Sequence, residues 1–587
     1  MAGQVDSTPD IPFHGGDGQH PAIESQATSA ANNHDTSSET AMTNAPGASM
    51  DMSDPIIAAA PPMQRGVKFW AIMAALCITS LLSALDAAVL STALPTIVKD
   101  LNSSDVYVWT INAYFLTMTC FQPLYGQTAN IFGRRWLMIG SVVLFGVGSA
   151  VCGSAKTTTA LIVGRAVQGV GGGGINVMVD IIVSDIIPLR ERPKYMAVIF
   201  VVFALGTSLG PFIGGALTQH ASWSWIFYIN LPIVGLSLIL LVLFLHVDYK
   251  PDKFSAQLKR VDFLGNAILI LSVLAILLAL TWGGTTHPWS SWRTVVPLVL
   301  GFLGLIAFFL YEASPFVQEA TMPLHLFSNR TSASVYAITF IHSIIMYWVV
   351  YYLPVYFQAV LEASPTASGV DLLPTAVTSI PFAIVSGIAI SSLNRYRPSQ
   401  FASMILVSIG LGLFTLLDER TSTGYWVGTQ ILCSAGLGIL VTASLPAIQA
   451  PLEEKDVATS TATWAFLRSF GSIWGAAIPT AIFNTRINAL LPKIPSVSVR
   501  NALKNGGAYA LASKEFMQSL NATPDIKEGV VKTYVTALKL VWQVSIAFGL
   551  LGLLLAFIVK EVKMREALDT EYGITEKAKV ETNGDKA

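Results

Sequence analysis

Gly206-Thr207-Ser208-Leu209-Gly210-Pro211-Phe212-Ile213-Gly214-Gly215 sits inside an apolar run from about residue 195 to 217, long enough to cross a bilayer. Four glycines and one proline in ten residues make poor helix material in water. In a membrane, neighbouring helices re-satisfy the backbone, and small residues let two helices approach closely. The stretch therefore reads as a crossing in which one helix, bent at Pro211, is pressed against another. Such a joint suits a protein that changes shape across a membrane.

Working outward, apolar runs of this kind recur. The spans read as 69–93, 107–127, 136–154, 160–183, 195–217, 226–246, 263–283, 293–313, 334–358, 369–392, 401–417, 426–446, 459–484 and 537–560, fourteen in all. The eleventh is the shortest, and the thirteenth is the least apolar. The chain of 587 residues is 53% hydrophobic and 12% charged, about half the charge of a soluble domain. With the amino terminus in the cytoplasm, the short inner loops carry thirteen Lys or Arg and the short outer loops four. That is the bias of an inward-facing basic side. The net charge of −1 gives no reason to expect a nucleic-acid partner. Cys77, Cys120, Cys152 and Cys433 all fall in apolar runs, against a disulfide-stapled ectodomain or a cysteine metal cluster. No cleavable signal peptide is evident, no cofactor or metal is expected, and no catalytic constellation indicates an enzyme.

Residues 1–64, rich in small polar residues, read as a disordered cytoplasmic tail. Residues 561–587 read as a second cytoplasmic tail. The long segment 485–536 reads as a partly helical extracellular cap. Asn102 and Asn521 open glycosylation sequons.

Charges within spans are functional candidates, because a lipid-facing helix has no use for an ion. Asp86 lies deep in the first span, with roles open as proton carrier, cation ligand or partner of a basic residue. Arg165 in the fourth span stays protonated even when buried. Gln168 and Gly169 share its helix face, three and four residues on. Arg468 in span thirteen either lines a central path or snorkels to the interface. Asp180 sits nearer the cytoplasmic end of span four, where it costs less to keep and pairing with a loop arginine suffices to explain it. Gln358 ends span nine and faces a cavity. His342 is a lone membrane histidine, for which packing or a backbone hydrogen bond is at least as good a reading as proton carriage. The run 171–174 of four glycines lacks the Lys-Ser or Lys-Thr of a phosphate loop and reads as tight helix packing.

These features together resemble the major facilitator superfamily, and within it the fourteen-span drug:proton antiporters, especially fungal multidrug and toxin efflux pumps. Gly206, Gly210-Pro211 and Gly214-Gly215 resemble the antiporter signature of span five. Leu85-Asp86 with Leu94-Pro95 resembles the first-span motif. The stretch 126–135, including Gly126, Asn130, Gly133, Arg134 and Arg135, resembles the loop between spans two and three. Arg165, Gln168 and Gly169 resemble the fourth-span motif, and Trp223, Trp225, Phe227, Asn230, Leu231 and Pro232 the entry to span six. Two positions depart from the pattern. Asn130 stands where the loop usually has Asp, and Ser224 where Arg is common.

The resemblance implies an all-α polytopic membrane protein, two six-helix bundles at 69–246 and 334–560, with two additional linking helices at 263–313. It implies alternating access and export of drugs, toxins or other secondary metabolites against proton entry. Asp86 and Arg165 are then the first candidates for coupling, with Gln168, Arg468 and Gln358 behind them. The partners implied are a small organic substrate, protons and the lipid bilayer, acting on a functional monomer. The plasma membrane is the expected location and the vacuolar membrane the alternative. Proton-coupled uptake or vacuolar transport of a defined solute, such as an amino acid or siderophore, is the competing function. A transporter-like receptor or scaffold is a further one.

Overall fold

The structure, a computed structural model, describes residues 66–101, 108–247, 253–284 and 287–567. The expected tail at 1–64, the Asn102 sequon and residues 568–587 lie outside the described residues. Fourteen long helical units follow one another: α1 Val67–Asp100, α2 Val108–Phe132, α3 Arg134–Gly153, α4 Thr158–Ile186 and α5 Arg192–His220; α6 Trp225–Phe244, which is interrupted at Ile229; α7 Phe263–Trp282, α8 Trp292–Glu312 and α9 Arg330–Ala359; α10 Pro365–Leu393, whose first turns form a separate short helix; and α11 Arg397–Phe414, α12 Thr423–Gln449, α13 Val457–Leu490 and α14 Pro524–Ile558. Among the described residues, eleven of them are long and apolar enough to cross a membrane. The other three are α2, α11 and α13. Two of these carry the spans singled out above as short or polar, and α2 is diluted by Asn112, Gln122, Gln127 and Asn130.

Local chemistry sets the ends. The side chains of Thr157, Asp262, Asn329 and Ser364 accept backbone N–H groups at the starts of α4, α7, α9 and α10. Gly133 separates α2 from α3 at φ +80°, a left-handed conformation that a residue with a Cβ adopts only under strain. Asn394 ends α10 in the left-handed region.

The opening stretch is the seam between α5 and α1. A Cβ on Gly206 would lie 2.8 Å from the Ala84 methyl, and one on Gly210 would lie 2.6 Å from that of Ala88. Both pairs are spaced four apart, so small residues on one helix meet small residues on the other. Gly214 continues the buried line. Gly215 does not, since a Cβ there would meet nothing; it is removed from the packing set because it falls on the far side of the helix. Pro211 lies inside α5, which keeps its helical assignment from Arg192 to His220.

The glycines of α4 let it wedge between its neighbours. Added Cβ atoms at Gly171 and Gly173 would strike the α3 and α2 backbones at Phe145 and Met118, which is the packing role read from the sequence. The amino-terminal helices meet the later ones where Gly126 of α2 abuts Ala458 and Ala462 of α13, and where Gly387 of α10 abuts the Pro193 carbonyl. Helices α7 and α8 share one apolar cluster with Leu116 and Cys120 of α2 and with Phe466 and Phe470 of α13.

Two segments outside the long helices are ordered. The expected cap is shorter than 485–536, because α13 extends to Leu490 and α14 starts at Pro524. Between them, Ile494, Leu503, Ala508 and Met517 join the core of the later helices, and Tyr534 donates to the Ala508 carbonyl at 2.6 Å. After α14 the chain runs extended as a strap. Tyr396 donates to the Lys560 carbonyl at 2.9 Å, and the Glu561 carboxylate accepts the Tyr396 and Arg397 amides. Asn394 brackets Met564 from both sides of its peptide.

Candidate functional site

The α1–α5 seam fixes the rotation of α1. Ala84 and Ala88 face α5, so Asp86, about 200° around the helix from either, is turned toward α4. There its carboxylate, fully enclosed, is held by three donors. Arg165 Nη1 donates to Oδ2 at 2.7 Å, Gln168 Nε2 to Oδ1 at 2.7 Å and Asn230 Nδ2 to Oδ1 at 2.8 Å. Arg165 also donates to Gln168 Oε1 at 2.7 Å and to the Thr110 carbonyl at 3.1 Å. Its guanidinium lies 4.3 Å from the centre of the Tyr114 ring, a cation–π contact in a dry site. Ser149 of α3 accepts from Gln168 at 2.8 Å. Five helices thus converge on one buried ion pair. A pair withdrawn from water is costly unless its remaining donors and acceptors are met, and this network meets them.

Asp86, Arg165 and Gln168 are therefore brought together. Asn230 and Ser149 complete the group. Asn230 was visible only as part of the span-six entry, and Ser149 not at all; a neutral polar residue in an apolar run carries no charge to give it away.

A second set of bonds lies at the basic face, the helix ends that carry the arginine-rich loops. Arg134 donates to Asp185 at 2.8 Å and to the Ala129 carbonyl at 2.8 Å. Arg135 instead reaches the Val242 carbonyl at 2.9 Å and contributes to that face only from outside. Asn130 lines a cavity of about 1020 Å³ with Gln127, Arg260, His325, Glu454 and Arg565. The main tie between the earlier and later helices was missed. Arg192, buried, donates to Glu454 at 2.5 Å and Gln449 at 2.8 Å. Arg565 of the strap binds the other Glu454 oxygen at 2.8 Å. Arg190 pairs with Glu566 at 2.7 Å and donates to the Ser391 carbonyl at 2.9 Å. In the sequence Arg190 and Arg192 counted only as loop charges. Glu454→Ala frees Arg192 and Arg565 together. The expected result is severalfold faster hydrogen–deuterium exchange across 187–194 and 449–456, read by mass spectrometry, with exchange in α3 unchanged.

The remaining candidates stand apart from the Asp86 group. Gln358, half-buried, donates to Ser368 Oγ at 3.3 Å. His342 bonds the Leu437 carbonyl at 2.9 Å, the plainer of its two readings. Arg468, half-buried, lies over the Trp464 ring at 4.4 Å and near the Phe200 ring of α5 at 5.7 Å. Asn521 is exposed and accepts from Lys527 Nζ at 2.6 Å.

The sequence pattern of the Major Facilitator Superfamily matches residues 76–476. The chain belongs to the major facilitator superfamily. Superfamily members from fungi are similar over nearly the whole length. The MFS-type efflux pump LUC4 of a Fusarium species is 51% identical over 515 residues, covering 88% of this chain and 91% of that one. Efflux pump FUS6 of Gibberella fujikuroi is 51% identical over 516 residues, covering 88% and 93%. The Acurin A biosynthesis cluster MFS-type transporter of Aspergillus aculeatus is 50% identical over 518 residues, covering 88% and 93%. Among solved structures, the major facilitator superfamily proton:xylose symporter XylE superposes with a TM-score of 0.54 at 13% identity, over 84% of this chain and 97% of that one. That likeness concerns the fold. This superfamily member is a multi-pass membrane protein.

Proposed function

We propose that this protein is a proton-coupled exporter of small organic compounds, such as toxins or other secondary metabolites, working as a monomer in the plasma membrane. The observation that carries the reading is the enclosed Asp86–Arg165 pair with Gln168, Asn230 and Ser149 around it. An ionisable pair kept inside membrane helices is expensive, and its use is to change protonation or partner. Protonating Asp86 removes the charge that holds Arg165, which loosens α1 from α4 and shifts the balance between closed and open arrangements. Relatives about half identical in sequence bear the names of efflux pumps, which supports the outward direction.

The test uses purified protein in proteoliposomes with an imposed pH gradient and a panel of amphipathic fluorescent compounds. Uphill movement that stops when the gradient is collapsed is expected. Asp86→Asn is expected to lower thermal stability, because Arg165 is left without its counter-charge, and to lose gradient-driven movement. Coupled movement at the wild-type rate in both Asp86→Asn and Arg165→Ala would remove the pair from the mechanism. Movement of every compound that ignores the gradient would remove proton coupling.

A further inference from the structure

The strap after α14 is seated on the later helices along most of its length. Tyr396, just before α11, donates to the Lys560 carbonyl and accepts the Val562 amide, both at 2.9 Å. The Lys560 amide donates to Thr331 Oγ1 of α9 at 3.1 Å. Met564 is buried, and its amide donates to Asn394 at 3.1 Å. Arg565 donates to the Leu452 carbonyl at 2.7 Å and pairs with Glu454, both in the turn between α12 and α13. At its tip the strap crosses to the earlier helices. There the Arg565 carbonyl accepts the Arg190 amide at 3.2 Å, and Glu566 pairs with the Arg190 guanidinium at 2.7 Å. Arg190 lies in the turn between α4 and α5.

We infer that the strap is a latch, which rides on the later helices, catches Arg190 of the earlier ones and so holds the basic face shut. The root of the strap is firm and its tip is weak. Tyr396 is fully buried, and its bonds to the strap backbone are shielded from water. At the tip, the Arg190 and Glu566 side chains are 35% and 54% exposed, and an ion pair open to water adds little. When the two sets of helices part, the strap therefore lets go of Arg190 and stays on α11. A catch this weak can open and re-form in every cycle. Its place makes it count. Arg190 also donates to the Ser391 and Ser392 carbonyls at the end of α10, and Arg565 shares Glu454 with Arg192 of α5. The tip thus keeps the other ties across the same seam in register. The latch shares no residue with the Asp86 group. It sets the fraction of molecules with this face open whatever the cargo is, so it does not rest on the export reading.

Opening is read by a thiol placed in the seam. Thr459 of α13 is buried, and its Cα lies 3.6 Å from the place a Cβ on Gly126 of α2 would take. Full-length Thr459→Cys protein is reconstituted in liposomes and treated with a maleimide. Labelling at position 459 is followed peptide by peptide by mass spectrometry, which separates it from the native cysteines. Glu566→Ala removes the catch, and because Glu566 stands in solvent its loss does not threaten folding. Tyr396→Phe loosens the root from within the later helices. Each is expected to raise the labelling rate about two- to fivefold. In an Arg190→Ala background, Glu566→Ala is expected to add nothing, because the catch is already gone. Lys455→Ala, which breaks an exposed pair with Glu453 on the same face, is the control and is expected to label at the starting rate. The starting rate in Glu566→Ala or in Tyr396→Phe overturns the latch. So does an equal rise in Lys455→Ala, or a full further rise from Glu566→Ala when Arg190 is absent.

Discussion

Arg165→Ala is expected to abolish transport and to lower the yield of folded protein. The substitution leaves the Asp86 carboxylate enclosed, with only Gln168 and Asn230 donating to it, and empties the face of the Tyr114 ring. Removing one partner of a buried ion pair costs about 3–5 kcal/mol, a large share of a typical folding free energy. The double variant Asp86→Asn with Arg165→Gln replaces both charges with neutral amides. It is expected to recover most of the thermal stability in detergent while remaining inactive. Stability measured by a thiol-independent unfolding assay and transport measured in liposomes would then separate. If Arg165→Ala unfolds at the wild-type temperature, the pair does not hold α1 to α4.

Gly210→Leu is the second large effect. The missing Cβ of Gly210 faces Ala88 and, at 3.0 Å, the Val89 backbone nitrogen. A neighbouring main chain cannot rotate aside as a long side chain does. Overpacking of this kind costs about 1–3 kcal/mol, but its functional effect is expected to be larger. α1 would be pushed off α5, and Asp86 would swing away from donors whose bonds are 2.7–2.8 Å long. Transport is expected to fall below a tenth of wild type with membrane insertion intact, measured as counterflow normalised to protein amount. Gly215→Leu serves as the control and is expected to transport normally, since its side chain enters open space. Equal loss in both variants would sink the seam explanation.

The comparison of Asp86 with Asn230 shows what was legible beforehand. A charge in an apolar run is conspicuous because the bilayer penalises it wherever it is unused, so Asp86 and Arg165 stood out. Asn230 donates to the same carboxylate from 144 residues away, and nothing in the periodicity of α6 marks it. The tie between Arg192 and Glu454 spans 262 positions. Both residues lie near loops, where charge is expected, so neither was distinguished from a solvated one. Helix order was readable because length and apolarity are local, and among the described residues eleven helices are long and apolar enough to cross a membrane. The boundary of the cap was not. α13 continues through Asn484, Arg486 and Asn488, polar residues that end a hydrophobic run without ending a helix, since backbone bonds persist once the chain has left the lipid. A loop arginine was the expected partner of Asp180, but Arg134 pairs with Asp185 on the same helix instead.

The strap after α14 bears on how this molecule can be handled in the laboratory. Its last described bonds, from Arg565 to Glu454 and from Glu566 to Arg190, tie residues 565 and 566 to the seam between the earlier and later helices. A bulky fluorescent protein spliced directly after Glu566 would act as a wedge. A small dye at the same place would report each opening as a change in brightness. The Glu566 contact is open to solvent, so ionic strength alone, through screening, offers a dial on that signal.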